Sequence, residues 1–182
     1  MSWAPPQLRT YFTTFSTAGR RRVFQVERNA ELMVDTLRTY RAQGRFSLHA
    51  FVVMPDHVHA LITPATEVSL EKAIQFMKGG FSFRLRSKFE VWERGHFDKW
   101  VPDQQAFGAC VTYIHRNPVV AGFVAEEDKC AFSSAARPGE ADPIPEWFRR
   151  FEEIPGAEAQ GSKGRVYRAL KRAATPQSWH HQ

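Results

Sequence analysis

The chain has 182 residues, 43% of them hydrophobic, which suits one folded domain with terminal additions and leaves no room for a second sizeable core. Its formal charge of +6 favours a polyanionic partner, nucleic acid first, because lysine and arginine near phosphates release condensed counterions. Only Cys110 and Cys130 are present, which excludes a disulfide framework, and with no apolar signal core after Met1 and no apolar run of bilayer length the expected setting is the cytoplasm, with no membrane partner.

Thr10 to Thr17 alternates β-branched and aromatic residues and predicts a first strand, followed by the basic turn Gly19-Arg20-Arg21-Arg22. Glu27 to Ala42 places Leu32, Met33, Thr36, Leu37 and Tyr40 at helical spacing, with Gly44 as a C-cap. Phe46 to Met54 is a β-prone run. Pro55-Asp56 makes a turn, and His57 to Thr63 continues as an antiparallel partner until Pro64. Ser69 caps a second helix whose apolar stripe is Leu70, Ala73, Ile74, Met77, Phe81 and Leu85. Gly79-Gly80 interrupts it, at about 1 kcal/mol per glycine, and marks a bend or a close backbone approach. Lys78, Arg84, Arg86 and Lys88 give this region a basic side.

Trp92 to Trp100 suits a short strand or a loop over a site, and Trp92, Phe97 and Trp100 are either base-stacking or core aromatics. Asp103 caps a third helix with the stripe Ala106, Phe107, Cys110, Val111 and Ile114. That helix is expected to end at Asn117, since Pro118 cannot continue the ladder, and Tyr113 falls at the edge of its stripe. After Ser134 the composition changes, with Pro138, Pro143, Pro145 and Pro155 breaking the chain and Glu146 to Glu153 predicting a short helix. Lys163 to Arg172 carries five basic residues and no acidic ones, either an arm that orders on a phosphate backbone or a solvated tail. The expected division is a domain over 1–134 and a basic extension over 135–182.

Two constellations carry chemistry. His57 and His59 are two apart on a strand and share a face, so they converge on one divalent cation while Val58, Ala60 and Ile62 turn to a core on the other side. A lone His-x-His triplet also fits ordinary core or surface histidines. Tyr113 and Asn117 are four apart on a helix and lie one above the other. Tyr113 is either a core-edge tyrosine or a nucleophile whose phenolate attacks a phosphodiester. Asn117 is either a helix C-cap or an amide-oxygen ligand for a hard cation such as magnesium or manganese. His115 points off the Tyr113 face and suits an exposed phosphate contact; His49 and His96 are further candidates for ligands or phosphate contacts. Two histidines, a tyrosine and an amide together suggest nucleotidyl transfer.

The succession Phe51-Val52-Val53-Met54-Pro55-Asp56-His57-Val58-His59-Ala60-Leu61-Ile62, then Lys78, then Tyr113-Ile114-His115-Arg116-Asn117-Pro118-Val119-Val120-Ala121-Gly122-Phe123-Val124 resembles the single-tyrosine HUH transposases, most closely their REP-associated branch, over residues 10 to 134. The resemblance implies an α+β, ferredoxin-like β-α-β-β-α-β core with an antiparallel sheet, and we expect the helices on one face. It implies cleavage and rejoining of single-stranded DNA beside hairpins through a 5′-phosphotyrosine, with Mg2+ or Mn2+. Carried over by residue, His57 and His59 are metal ligands, Tyr113 is the nucleophile and Asn117 stands where many relatives have a longer glutamine as third ligand. Asp56 stands where asparagine is common. Arg20, Arg21, Arg22, Lys78, Arg84, His115, Arg116, Lys163, Arg165, Arg168, Lys171 and Arg172 are expected to hold the DNA. A monomer using its own tyrosine is the arrangement of the branch it resembles; a dimer with shared sites is the other arrangement in the superfamily. A noncatalytic hairpin-binding protein would keep the basic surfaces and use the histidines structurally, and an unrelated zinc hydrolase would make Tyr113 dispensable.

Overall fold

Strand alternation becomes a four-stranded antiparallel sheet in the computed structural model, which describes residues 8–149. In chain order the elements are β1 (Thr10–Ser16), α1 (Glu27–Ala42), β2 (Phe46–Met54), β3 (His57–Pro64), α2 (Leu70–Leu85), β4 (Phe97–Val101), α3 (Gln104–Val120) and the short α4 (Glu146–Arg149). The strands lie in the order β2-β3-β1-β4 with every pairing antiparallel, so the expected β-α-β-β-α-β order is present with α3 added after it.

The two faces of the sheet build separate cores. Phe15, Phe51, Val53, Val58, Ala60 and Ile62 pack under α1 and α2, which supply Met33, Leu37, Ile74, Met77 and Phe81. Phe12, Ala50, Val52, Met54, Leu61 and Val101 pack under α3, which supplies Ala106, Phe107, Cys110, Tyr113 and Ile114. The helices therefore cover both faces, where the sequence reading put them on one. The reason lies in β2 and β3, which are apolar on both sides and would leave Ala50, Val52, Met54 and Leu61 in water without α3.

Local chemistry fixes the helix ends. Ser69 Oγ accepts the Lys72 N–H at 3.1 Å and Asp103 Oδ1 accepts the Ala106 N–H at 2.7 Å, as N-caps do. α3 does not stop at Asn117 but runs through Pro118 to Val120. Proline removes only its own bond back to Ile114, and the helix closes one turn later in a Schellman motif. There Gly122 takes φ 75°, its N–H donates to Val119 O at 3.0 Å, and the Phe123 N–H donates to Pro118 O at 2.9 Å. Val124 packs against the second core while Val120 and Phe123 stay exposed, so the apolar segment after Pro118 is only partly pinned to the sheet.

The chain beyond Ser134 stays attached to the same sheet as far as Arg149. Residues 132–134 line the outer edge of β2, where the Val53 N–H donates to Phe132 O at 2.9 Å and the Ser134 N–H to Phe51 O at 3.0 Å. Asp142 then accepts the Leu48 N–H at 2.7 Å and a two-pronged bond from Arg41 at 2.8 and 3.0 Å, and Phe148 is buried in the second core. The remainder of the helix expected over 146–153 lies outside the described residues. No helix among the described residues is long and apolar enough to cross a membrane.

α2 passes through Gly79-Gly80 without a break. At Gly80 the close approach is real: a Cβ there would sit 2.8 Å from Tyr40 Oη, whose ring stacks on Phe76, whereas a Cβ at Gly79 meets nothing within 4 Å. Gly79→Ala should therefore stabilise the protein by up to about 1 kcal/mol through helix propensity. Gly80→Ala should destabilise it, because overpacking costs about 1–3 kcal/mol and outweighs the same propensity gain. Urea melts of the two variants beside the parent check the opposite signs.

Candidate active site

β3 leaves the Pro55-Asp56 turn with His57, and alternation then turns His57, His59 and Leu61 toward α3. His57 Nε2 and His59 Nε2 face each other at 3.1 Å. Their other ring nitrogens are each engaged. His57 Nδ1 donates to Asp56 Oδ1 at 2.6 Å, and His59 Nδ1 shares a 2.7 Å hydrogen bond with Thr14 Oγ1, the residue opposite it on β1. His59 is fully buried, and that burial, reinforced by the His57 ring and Arg20, holds its imidazole well below the usual histidine value and therefore neutral. The His57 side chain keeps 13% of its exposure and forms the open side of the pair.

α3 brings Tyr113 to the same place. Its ring lies 5.5 Å from the His59 ring and 5.6 Å from Phe12, edge-on to both. The phenyl body is 7% exposed, so Tyr113 belongs to the buried stripe of α3 and not to its edge. Ala106, Cys110 and Tyr113 repeat at steps of four and three along one row of the helix, and Asn117, half-buried, continues that row one turn later.

Could these residues hold a divalent cation? Two imidazole nitrogens bound at about 2.1 Å and meeting at a right angle stand about 3.0 Å apart, close to the 3.1 Å between His57 Nε2 and His59 Nε2. Outward hydrogen bonds from Nδ1 are what metal-binding histidines make. The donor set suits an octahedral ion with several positions left to oxygen ligands. Among the described residues there is no cluster of three or more histidine, cysteine and carboxylate side chains, and Asn117 is a carboxamide on the helix row that carries Tyr113.

The family model for IS200-like transposases matches residues 8–117, a stretch that begins just before β1 and ends on Asn117. The chain belongs to the IS200-like transposase family. A Haemophilus influenzae protein described as a REP-associated tyrosine transposase is 23% identical over 141 residues, covering 66% of this chain and 80% of that protein. The solved structure of a REP-associated tyrosine transposase bound to a REP hairpin superposes with a TM-score of 0.64 at 21% identity, covering 90% of this chain and 96% of the other, which establishes the shared fold.

The basic residues expected on DNA divide into several environments. Arg20 reaches back to the site, its Nε 3.1 Å from Asp56 Oδ2 and its Nη1 donating to Ser16 Oγ at 2.7 Å. Arg21 binds the carbonyls of Ala18 and Glu90, and Arg22 is exposed beside it. Arg116 is exposed, with Glu127 at 3.9 Å. His115 is not on the open surface: its Nε2 meets Ser134 Oγ at 2.8 Å against the edge of β2, and burial lowers its pKa. Arg84 pairs with Asp35 and Thr36 between α2 and α1, on the face of the sheet away from the histidine pair. Lys163, Arg165, Arg168, Lys171 and Arg172 lie outside the described residues.

Other candidates are accounted for elsewhere in the fold. His49 sits in a buried polar chain, with Nε2 on Thr63 Oγ1 at 2.9 Å and Nδ1 on Pro143 O at 2.9 Å, and burial lowers its pKa. His96 is 3.4 Å from Asp98. Trp92 is a core residue, packed among Phe15, Phe24 and Phe81 with its indole N–H donating to Lys78 O at 2.9 Å. Phe97 packs against the second core, and Trp100 is partly exposed with Arg9 over its ring. A cavity of about 580 Å³, lined by residues including Arg41, Thr63, Asp142 and Trp147, opens at the Pro64 end of β3, away from His57. Thr14 was missed in the sequence as a partner of His59. Its place on the Phe12 face was legible from alternation, but the β1-to-β3 register that sets it opposite His59 was not.

Lys78 is half-buried, and burial pulls its ammonium below the usual lysine value; Nζ donates to Glu93 O and Gly95 O at 2.8 Å each. Those two bonds anchor the loop before β4. Lys78→Met should therefore lower the melting temperature, while the slope of log affinity against log salt for hairpin DNA changes by much less than the unit of about 0.9 that one lost phosphate contact produces. Thermal melts and a salt titration of the variant separate the two roles.

Proposed function

We propose that this protein cleaves and rejoins single-stranded DNA beside folded hairpins, with Tyr113 as the nucleophile. The observation that carries the reading is the meeting, within one chain, of the Tyr113 ring and the facing His57 and His59 imidazoles. Its support from outside the chain is membership of the IS200-like transposases and a fold shared with a relative bound to a REP hairpin.

In this reading the Tyr113 phenol gives up its proton and its oxygen attacks the phosphorus of a phosphodiester. The bond to the 3′ oxygen breaks, leaving a 5′-phosphotyrosine and a free 3′ hydroxyl. Attack of a 3′ hydroxyl on that linkage reverses the step and reseals a strand, so no nucleotide cofactor is consumed. His57, His59 and Asn117 would hold a divalent cation, Mg2+ or Mn2+, which supplies polarisation of the phosphate and compensation of its growing charge. Phe12 and His59 stack on each other, and the tyrosine ring rests edge-on against both. Arg20, Arg21, Arg22 and Arg116 are exposed basic side chains that could meet the phosphate backbone, and the cluster from Lys163 to Arg172 is proposed to extend it.

The test is end-labelled hairpin-bearing single-stranded DNA incubated with protein and Mg2+, then resolved on a denaturing gel. Wild type should give a slow-migrating covalent adduct. Tyr113→Phe should abolish it while leaving hairpin affinity within about threefold, since the substitution removes an uncharged hydroxyl and no phosphate-neutralising charge. His57→Ala should remove cleavage without removing DNA binding. An adduct that survives in Tyr113→Phe would assign the nucleophile elsewhere.

The packing of Tyr113 against its own chain's His59 also favours a site completed by a single subunit. Mixing Tyr113→Phe protein with His57→Ala protein should then restore no cleavage. Recovery of activity in the mixture, with a dimer by light scattering, would show that helices are exchanged between subunits.

A further inference from the structure

Resting on the reading of His57 and His59 as metal ligands, we infer that Asp56 and Thr14 are positioning residues for the cation, each holding one imidazole with its Nε2 turned toward the other. A neutral imidazole carries one N–H and one lone pair, and whichever nitrogen faces an acceptor keeps the hydrogen. A carboxylate is an acceptor only, so Asp56 Oδ1 at 2.6 Å from His57 Nδ1 fixes the hydrogen there and leaves the lone pair on Nε2. Thr14 Oγ1, at 2.7 Å from His59 Nδ1, is a hydroxyl that accepts the Nδ1 hydrogen of the second ring once a cation takes the Nε2 lone pair.

The surroundings are built to keep these partners still. Arg20 Nε lies 3.1 Å from the other Asp56 oxygen, and the same guanidinium donates to Ser16 Oγ at 2.7 Å, the residue paired with His57 across the β1–β3 ladder. The backbone of Asp56 is fastened as well, its carbonyl accepting the N–H of Thr17 at 2.9 Å. Thr14 is 5% exposed and opposite His59 in the ladder, so its hydroxyl cannot swing away to water. One carboxylate oxygen thus serves the imidazole and the other a guanidinium, which orients a side chain more firmly than turn formation alone requires.

The experiment is isothermal titration of the full-length protein with MnCl2 in the absence of DNA, comparing wild type with Asp56→Ala, Asp56→Asn, Thr14→Val and His57→Ala, each first shown to melt cooperatively in EDTA. Asp56→Ala and Thr14→Val should weaken Mn2+ binding about 10- to 100-fold, and Asp56→Asn, whose amide oxygen still accepts the Nδ1 hydrogen, should stay within about threefold of wild type. Wild-type affinity in both Asp56→Ala and Thr14→Val would overturn the inference with the metal reading intact. Equal weakness in Asp56→Asn and Asp56→Ala would overturn it too, pointing to Asp56 as a direct ligand. If wild type and His57→Ala bind Mn2+ alike, the metal reading itself fails and the inference falls with it.

Discussion

The candidate site depends on one constraint, the two-sided burial of β3. This strand pairs with β2 on one side and β1 on the other, and both of its faces are covered by helices. Val58, Ala60 and Ile62 are entirely buried under α1 and α2, while Leu61 is entirely buried on the α3 side. A slip of one residue would drive both imidazoles into the α1–α2 core and three aliphatic side chains out of it. Leaving each imidazole there without a polar partner costs about 1–3 kcal/mol, which opposes that exchange. The core therefore fixes which face of β3 carries the two imidazoles, and their Nδ1 partners fix how the rings turn on that face.

The same economy applies to Tyr113. Its ring is part of the second core, so the chemistry proposed for it would rest on a side chain that also packs the fold. Truncating a buried aromatic to alanine typically costs about 3–5 kcal/mol, which would confound any loss of activity with a loss of fold. α3 itself is held by Asp103 at its start and by the Gly122 motif at its end, and its middle lies on β2 and β3. The row that contains Tyr113 and Asn117 is thereby aimed at the sheet along its whole length.

Much of this was legible from residue order. Alternation in β3 separated the histidines from Val58 and Ile62, and capping residues such as Ser69 and Asp103 marked helix starts where the structure has them. What escaped were quantities decided between elements. The phase of α3 against the sheet buries Tyr113, although periodicity alone set it at the edge of the stripe. Pro118 remains helical because its lost bond lies in the last turn and the following glycine closes the end. Charge counting could not know that Lys78 donates to loop carbonyls and that Arg84 pairs with Asp35 on α1, since a contact between segments leaves no local pattern. The composition break at Ser134 is real in the sequence, yet Asp142 and Phe148 bring the next stretch back onto the domain through contacts nearly a hundred residues apart in the case of Asp142 and Leu48.

The segment 132–134 along β2 leaves the sheet with unlike margins. One margin has its amide and carbonyl groups occupied by the chain's own backbone and by Asp142, while among the described residues nothing pairs with the outer side of β4. Among the described residues, that outer side of β4 is a row of main-chain donors and acceptors without a strand partner. It is five residues long and carries Asp98 and Lys99 at its centre, both features that discourage indiscriminate pairing between sheets. Among the described residues, a strand added to this sheet would meet that short charged margin, next to Trp100, while the β2 side of the histidine-bearing hairpin is taken by residues 132–134 and Asp142.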